Sequence, residues 1–544
     1  MKKKLVSMLL ALAMVASMTA CGGTDAGTES SASQGGGDGK PAASSDAGSN
    51  VVSDYKLDKI VMYVDGTLAA NAEENRDAFE KQWEEAVGVD LEIVQPDHSG
   101  YSDAVGRALF AGDRIDVILL SAGQYAEYAS TGILWDMTAA YENASFKDRI
   151  QYPAVNERKK IDGKLYGFAP AYGNGAVTYV KKAWLDKVGM KAEDIKDFAS
   201  YYEMLKKFST EDPDGDGVNG NTYGLVASGY AKLNEAPYVM YMPEFWQDAY
   251  PSFYQDASGK WIDGFQTEAS KAAMKRLRQA YVDGVMHPDT YKFSTSDARK
   301  SWFSADQVGS EGVFTYWAGN WYQNLTDYLN DNGVDSELVM LPPIKEVAAA
   351  GGYINRDAPV WCIIDDGDGD NSREQAIFDA FIDTMMDGDK VQMLWTYGAE
   401  DVHWSTKAET FSITTNKGKD NEKTTEYTFE EGQFHLRPNS AGTKLWSKNA
   451  IDPTLSLCAL TNGNYAPTDL IVEGNKFFLD NCYDAPLTPS GEKLTEYNGD
   501  IVTAREKCLA AIVQEGKDVE TAMAEYVSSV GYAVDEILEE LNNK

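Results

Sequence analysis

The sequence GKLYGFAPAYGNGAVTYVKKAW, residues 163–184, organises the rest of the chain. It places a passage rich in proline and glycine, residues 169–175, between two apolar runs, and the second run alternates like a short strand that leads into a helix. Pro170 fixes the backbone φ angle, while Gly173 and Gly175 allow another surface to approach closely. The pattern predicts a crossing between two lobes at the floor of a cleft. An ordinary junction between a loop and a strand is the alternative.

Length and charge restrict the class of protein. A chain of 544 residues is longer than a single hydrophobic core usually supports, so two or more lobes are expected. The chain has 85 Asp and Glu against 49 Lys and Arg, a net charge of −36. So acidic a protein is a poor partner for nucleic acid or for an anionic membrane surface. The net charge favours an uncharged or cationic ligand.

The first fifty-four residues predict export and a membrane anchor. Three lysines at residues 2–4 precede an apolar run, residues 5–17, that is too short to span a bilayer permanently. The run ends in Met-Thr-Ala-Cys-Gly, which resembles the bacterial lipobox, in which the cysteine is acylated and becomes the mature N-terminus. Residues 1–20 are therefore predicted to be a signal peptide, with Cys21 as the lipidated residue. A plain secretory signal with a chance cysteine is the alternative.

Residues 21–54 consist mainly of Gly, Ser, Ala, Thr and Asp, a composition typical of a flexible tether. A lipid anchor followed by a tether predicts a protein held at the extracellular face of the cell membrane. Four cysteines remain beyond it, Cys362, Cys458, Cys482 and Cys508, and export permits disulfides. Four cysteines allow three pairings, and the spacing does not choose between them. No C-x-x-C pair occurs and the four histidines are scattered, so a zinc site is not expected.

A strand, a helix and a second strand follow the tether at residues 59–64, 71–86 and 89–94, which predicts a βαβ unit and a parallel sheet. Beyond them, residues 108–138 read ALFAGDRIDVILLSAGQYAEYASTGILWDMT. This segment resembles the family 1 extracellular solute-binding proteins of bacterial ABC importers. Later segments resemble the oligosaccharide-binding branch of that family.

The resemblance implies an α/β fold with two lobes, each a mixed sheet flanked by helices, joined by hinge strands. It divides the chain into a first lobe, residues 55–168 and 344–410, and a second lobe, residues 169–343 and 411–544, with a return crossing at 338–343. It implies a monomeric, non-enzymatic lipoprotein that captures an oligosaccharide by hinge closure and delivers it to an ABC permease. A surface glycoside hydrolase and a lectin-like adhesin are the alternatives.

Sugar rings stack on aromatic side chains while their hydroxyl groups take hydrogen bonds, so a glycan cleft needs both kinds of residue together. The first crossing offers Tyr172 and Asn174. The remaining candidates follow from the resemblance and from aromatic clusters: Gln124, Tyr125, Trp246, Tyr316, Trp317, Trp321 and Trp404.

An acidic loop is the most specific motif in the chain. Asp212, Asp214 and Asp216 alternate before a glycine, and three carboxylates so close together repel one another unless a cation neutralises them. The first half matches the EF-hand pattern, but a tyrosine stands where that loop has its bidentate glutamate. The expected ligands of a structural Ca²⁺ are these three aspartates with the Val218 carbonyl and Asn221. A solvated acidic turn is the alternative.

Overall fold

The computed structural model describes residues 55–65, 68–69, 73–227, 241–303, 311–334, 337–415, 417–418, 422–461 and 468–543. The predicted signal peptide, the tether and Cys21 lie outside these ranges. Strands follow one another along the described chain as β1 (Lys59–Tyr63), β2 (Asp90–Val94), β3 (Val117–Leu120), β4 (Ala176–Lys181), β5 (Tyr223–Val226), β6 (Phe253–Gln255), β7 (Trp261–Asp263), β8 (Glu311–Trp317), β9 (Leu338–Met340), β10 (Ile354–Asn355), β11 (Val360–Ile363), β12 (Trp404–Ser405), β13 (Glu409–Thr415), β14 (Lys423–Phe429), β15 (His435–Leu436) and β16 (Tyr483–Asp484).

The α-helices, in chain order, are α1 (Glu73–Val87), α2 (Tyr101–Ala111), α3 (Ala122–Thr131), α4 (Thr138–Glu142), α5 (Ala154–Glu157), α6 (Lys182–Lys187), α7 (Phe198–Thr210), α8 (Pro243–Trp246), α9 (Glu268–Val282), α10 (Thr295–Phe303), α11 (Asn320–Asp331), α12 (Lys345–Ala350), α13 (Ser372–Ile377), α14 (Lys390–Tyr397), α15 (Asp469–Asn481), α16 (Glu492–Val513) and α17 (Val519–Asn542). Helix α13 continues into a π-helical segment, Phe378–Asp383. Among the residues described, no helix is both long and apolar enough to cross a membrane.

The first lobe is built around a four-stranded sheet in the order β11-β3-β1-β2. Strand β1 lies parallel to β2 and β3, while β11 joins β3 in the antiparallel sense, so the sheet is mixed. All four residues of β3 are buried, as expected for an inner strand that is covered on both faces. Helices α1 and α14 cover one face, where the rings of Phe79 and Trp395 meet edge to face at 5.2 Å.

The second lobe is built around a sheet in the order β5-β8-β4-β9. Strand β8 is parallel to β5 and antiparallel to β4, and β9 joins the outer edge of β4. The long C-terminal helices α16 and α17 pack into the core of this lobe. Two mixed sheets flanked by helices confirm the predicted fold class.

Three segments lie side by side where the lobes meet: residues 169–175, residues 355–359 and the segment that contains Leu457. Residues 169–175 carry the chain from the first lobe to β4, and residues 355–359 carry it back to β11. The backbone N–H of Arg356 donates to the carbonyl of Asn174 at 2.8 Å, and on the other side Leu457 donates to Pro170. A Cβ at Gly173 would lie 2.0 Å from the carbonyl oxygen of Arg356. The glycine therefore permits close backbone contact between the two crossings, as the sequence predicts.

The return crossing lies later in the chain than the sequence suggests. Residues 338–340 form β9, which pairs with β4 at the edge of the second sheet, and Val347 of α12 belongs to the same core. The chain leaves this lobe only after Ile354. The expected first-lobe boundary at residue 344 is therefore wrong, since an apolar run followed by prolines is also typical of an edge strand. The expected second-lobe portion beginning at residue 411 is likewise too early, because Leu457 packs in the first-lobe core.

The four cysteines of the described chain are all unpaired. Cys362, Cys458 and Cys508 are buried in separate surroundings, and Cys482 is partly buried. None of the three possible pairings is formed.

Candidate functional site

A sharp turn in the second lobe gathers three aromatic rings. Strand β8 ends at Trp317, and helix α11 begins after a two-residue turn. The second turn residue, Gly319, has a φ of +64°, and a Cβ there would lie 2.4 Å from Oδ1 of Asn475. The reversal brings Tyr316 and Trp321 together with their rings edge to face, 4.9 Å apart. Tyr316 is buried in the core of the second lobe, whereas Trp317 and Trp321 are partly buried against that core.

Two arginines from other segments complete this arrangement. The Cζ of Arg299, on α10, lies 4.9 Å from the ring centroid of Trp321, and its Nη1–H donates to the Tyr316 hydroxyl at 2.8 Å. The Cζ of Arg356, on the second crossing, lies 5.1 Å from the ring centroid of Trp317. A cation over an aromatic face is attracted by the ring electrons. We call these five residues the ring–guanidinium cluster.

His98 of the first lobe, with its partner Asp65, lies within electrostatic reach of the two arginines of the cluster. Asp65 follows β1 and His98 follows β2, at the carboxyl ends of parallel strands, where open α/β sheets bind ligands. His98 Nδ1 lies 3.2 Å from Asp65 Oδ2, and this hydrogen bond is the largest cause of the raised pKa of His98. The positive charges of Arg356 and Arg299 act in the opposite direction. Charged groups of the two lobes are thus within electrostatic reach of each other.

The predicted residues of the first crossing lie beside the cluster. The backbone of Asn174 is bonded to that of Arg356, and its Nδ2 lies 3.5 Å from the carbonyl oxygen of Ala318. Tyr172 is half-buried with its ring 5.0 Å from that of Tyr152, and burial is the main cause of a pKa raised to about 12. Asn174 therefore adjoins the cluster directly, whereas Tyr172 packs against the first lobe.

The structure contradicts a cleft-facing role for Trp246. This residue is only 1% exposed and lies in the core of the second lobe. The aromatic run that suggested it, residues 245–261, supplies core residues on α8, β6 and β7. Helix α8 is a single turn inside the lobe, so its aromatic side chains have no open surface to face.

Three other predicted residues make structural contacts away from the cluster. Gln124 caps helix α3, where its Oε1 accepts from the backbone of Ser121 at 3.3 Å. Tyr125 is buried and its hydroxyl donates to the carbonyl of Lys159 at 2.7 Å. Trp404 stacks on Phe434 with ring centroids 5.4 Å apart and donates to a backbone carbonyl. These contacts give each side chain a structural role.

Sequence reasoning missed Arg299, Arg356, His98 and Asp65. The two arginines have no local pattern that separates them from solvated arginines, because their ring partners come from other segments. Asp65 and His98 could have been identified from the sequence, because both follow strands of the predicted βαβ unit. Residues immediately beyond parallel strands are the ones to test first in such a sheet.

The acidic loop lies between α7 and β5, as predicted. One carboxylate oxygen from each of Asp212, Asp214 and Asp216 lies within 4.8 Å of the others. Backbone N–H groups hold the side chains in place, with Val218 donating to Asp216 at 2.7 Å. The Nδ2 of Asn221 donates to the other oxygen of Asp216, also at 2.7 Å. The loop thus converges its acidic oxygens on a small volume.

The chemistry of the loop fits a hard cation. Oδ1 of Asp212 and Oδ2 of Asp214 are buried without a hydrogen-bond partner in the described residues. Burial and the neighbouring carboxylates raise the pKa of Asp214, although a backbone hydrogen bond opposes them. Oxygen ligands with uncompensated negative charge are those that Ca²⁺ prefers. For Asn221 to serve as a ligand, its amide would turn to present Oδ1 in place of Nδ2.

A separate groove of about 520 Å³ runs along the outer edge of the second lobe. It is lined by β9, by Glu337 just before that strand, and by residues of α11 and α15 that include Tyr322, Glu473 and Phe477. No member of the ring–guanidinium cluster borders it.

Two lobes around mixed sheets, adjacent crossing strands and a junction lined with rings define a solute-binding protein. The sequence matches the family described as bacterial extracellular solute-binding protein over residues 74–399, more than half of its length, and the chain belongs to this family. This confirms the resemblance noted in the sequence.

Two curated relatives come from Bacillus subtilis (strain 168). The polygalacturonan/rhamnogalacturonan-binding protein YtcQ is 26% identical over 445 residues, covering 79% of this chain and 76% of the relative. The lipoprotein LipO is 26% identical over 241 residues, 43% of this chain and 45% of that protein. Among solved structures, the N-glycan transport solute-binding protein NgtS of Streptococcus pneumoniae in complex with Man5GlcNAc superposes with a TM-score of 0.53. It is 16% identical, and the match covers 89% of this chain and 97% of NgtS.

Proposed function

We propose that this protein captures a soluble oligosaccharide between its two lobes and delivers it to an ABC permease. The observation that carries the proposal is the ring–guanidinium cluster, whose two arginines lie within electrostatic reach of His98 in the first lobe. Aromatic faces suit the C–H faces of sugar rings, and the polar groups at their rims suit hydroxyl groups. The names of YtcQ and NgtS, which specify carbohydrate ligands, support this class of ligand.

Closure of the lobes is the proposed mechanism. Contacts from both lobes are complete only when the junction is closed, so ligand binding shifts the population toward the closed form. The permease then distinguishes the closed shape from the open one. Among the described residues, the proposed site has rings, guanidinium groups and one His–Asp pair, whereas a glycosidase places two carboxyl groups across the scissile bond. We therefore assign binding and no reaction to it.

Lipid attachment at Cys21 and residence at the extracellular face of the membrane belong to the same proposal. They rest on the lipobox-like sequence and are supported by the likeness to the lipoprotein LipO. The acidic loop is proposed to hold a structural Ca²⁺ through Asp212, Asp214, Asp216, the Val218 carbonyl and Asn221. Bound there, the ion would neutralise the carboxylates and fix the connection between α7 and β5.

The test is calorimetric binding of the purified mature protein to manno-, xylo-, galacto-, gluco- and galacturono-oligosaccharides. We expect at least one class to bind and Trp321→Ala to weaken it by about tenfold or more, as for a central aromatic contact. Trp404→Ala is the matched control, because Trp404 packs on Phe434 outside the cluster, and it should leave affinity unchanged.

Mass spectrometry of the same mixtures gives the second readout. Shortened oligosaccharides would contradict a binding-only role and favour the hydrolase alternative. Binding that is lost with Trp404→Ala and retained with Trp321→Ala would place the ligand elsewhere.

A further inference from the structure

Arg299 and Arg356 are unusual among the arginines of this acidic protein. Six other arginines form ion pairs with carboxylates, at positions 76, 114, 158, 373, 437 and 505. Three more, at positions 149, 276 and 278, donate to backbone carbonyls. In the described part of the chain, Arg107, Arg299 and Arg356 have neither kind of partner, and Arg107 is exposed whereas Arg299 and Arg356 are partly buried. A partly buried guanidinium without a counter-ion is costly unless a ligand supplies one.

The hydrogen-bonding capacity of both side chains is largely unused. Arg299 donates to the Tyr316 hydroxyl at 2.8 Å and has a second, longer contact with Ser296 at 3.4 Å. The guanidinium of Arg356 has no hydrogen-bond acceptor among the described residues, and only its contact with Trp317 holds it. A guanidinium has five N–H donors in a planar fork that matches the two oxygens of a carboxylate. Both arginines can therefore accept an anionic group.

The first lobe contributes an imidazole–carboxylate pair, His98 and Asp65, whose charges offset each other. The hydrogen bond to Asp65 favours the protonated form of His98, while the two arginines across the junction oppose it. The two guanidinium groups therefore keep a fixed positive charge, while Asp65 is already paired with His98. This local charge is opposite to the net charge of −36, which by itself favoured an uncharged or cationic ligand.

We propose that Arg299 and Arg356, held over Trp321 and Trp317, bind the carboxylate of an acidic sugar, so that the preferred ligand is a uronic-acid oligosaccharide. The inference rests on the proposed oligosaccharide-binding function and specifies its ligand class. Each guanidinium lies over the face of its indole, so its unused N–H groups would bind the carboxylate of a sugar ring that lies beside that indole. A neutral hexose offers a hydroxymethyl group in that place and forms no charge-assisted hydrogen bond.

The experiment compares ligands that differ only in charge. Calorimetry measures binding of trigalacturonate and of its fully methyl-esterified form, and of trimannuronate and its methyl ester, to the wild-type protein. We expect at least one acid to bind about tenfold or more tightly than its ester, because hydrogen bonds to a charged partner are the stronger ones. Added salt should weaken binding of that acid and leave binding of the ester nearly unchanged.

Variants then assign the preference to the two arginines. Arg299→Gln and Arg356→Gln should each reduce the difference between acid and ester, mainly by weakening the acid. Arg107→Gln is the control, since Arg107 is exposed on α2 and lies outside the cluster. Thermal unfolding of each variant verifies that it is folded, and the comparison of ligands on the wild-type protein does not depend on any variant.

The outcomes distinguish a failure of the uronate assignment from a failure of the proposed oligosaccharide-binding function. Equal or tighter binding of both esters overturns the carboxylate assignment and leaves oligosaccharide binding intact. Binding of neutral oligosaccharides, with neither uronate bound, would also overturn the carboxylate assignment and leave oligosaccharide binding intact. If neither the oligosaccharide panel nor the uronates and their methyl esters contain a ligand that binds, both proposals fail. An acid preference that persists in both glutamine variants would also refute the assignment to Arg299 and Arg356.

Discussion

Replacing Glu244 by glutamine should make the protein more stable at alkaline pH. Glu244 lies in α8 and is only 1% exposed. Its Oε1 accepts a hydrogen bond from the Thr178 hydroxyl at 2.6 Å, whereas Oε2 is buried without a partner among the described residues. Burial disfavours the ionised form, and it raises the pKa of this carboxyl from 4.5 to about 7, although the hydrogen bond from Thr178 acts in the opposite direction.

The magnitude follows from the difference between the folded and unfolded proteins. Below pH 4.5 the carboxyl is protonated in both states, and its contribution to stability is fully present. As the pH rises toward 7, the unfolded chain releases the proton while the folded one keeps it, so the free energy of unfolding decreases. The difference in pKa corresponds to about 3 kcal/mol, all of it lost above pH 7. Glutamine keeps an acceptor for Thr178 and never ionises.

Thermal unfolding of both proteins at pH 5 and at pH 8.5, at equal ionic strength, measures the effect. The midpoints should be similar at pH 5, and Glu244→Gln should unfold several degrees higher at pH 8.5. Glu203→Gln, at an exposed position of α7, is the matched control and should change neither midpoint. An advantage of Glu244→Gln that is equal at both pH values, or a wild type that is more stable at pH 8.5, would refute the reasoning.

Two further predictions concern the crossing and the acidic loop. Gly173→Ala should destabilise the protein by about 1–3 kcal/mol and weaken ligand binding, because the new methyl group would lie 2.0 Å from the backbone of Arg356. Gly499→Ala should be tolerated, because a Cβ at this position has no atom within 4 Å. If denaturant titrations show that the two substitutions lower the free energy of unfolding equally, this account is contradicted. Removal of calcium with a chelator should lower the unfolding temperature, and Ca²⁺ should restore it in the wild type but not in Asp214→Asn. A midpoint that does not respond to chelator or to Ca²⁺ would end the metal proposal.

Local patterns and the family resemblance were sufficient for most of the architecture. Alternating strands and an amphipathic helix gave the βαβ unit of the first lobe, and the resemblance to solute-binding proteins gave the two mixed sheets. The glycines of residues 169–175 gave the first crossing, because a close backbone approach needs a missing side chain. The return crossing was misplaced since residues 338–343 combine an apolar run with prolines. That combination ends an edge strand as readily as it begins a hinge, and only the pairing of β9 with β4 decides between them.

The candidate site was only partly accessible from the sequence. Tyr316, Trp317 and Trp321 were predicted from the family resemblance and from the aromatic cluster within six residues of chain, which the structure places on a strand, a tight turn and a helix. Trp246 was misassigned because an aromatic run does not show which rings point into the core. Arg299 and Arg356 could not be found, since each depends on a ring supplied by a segment distant in sequence.

The four cysteines of the described chain are unpaired, so the folded protein is not held together by disulfides there. Burial is the main cause of the raised thiol pKa of Cys362, Cys458 and Cys508, to about 11 for the last two, so these thiols stay protonated and chemically inert. The described architecture thus has no covalent cross-link to form or to lose. We therefore expect thermal unfolding of the protein to give the same midpoint with and without a thiol reductant.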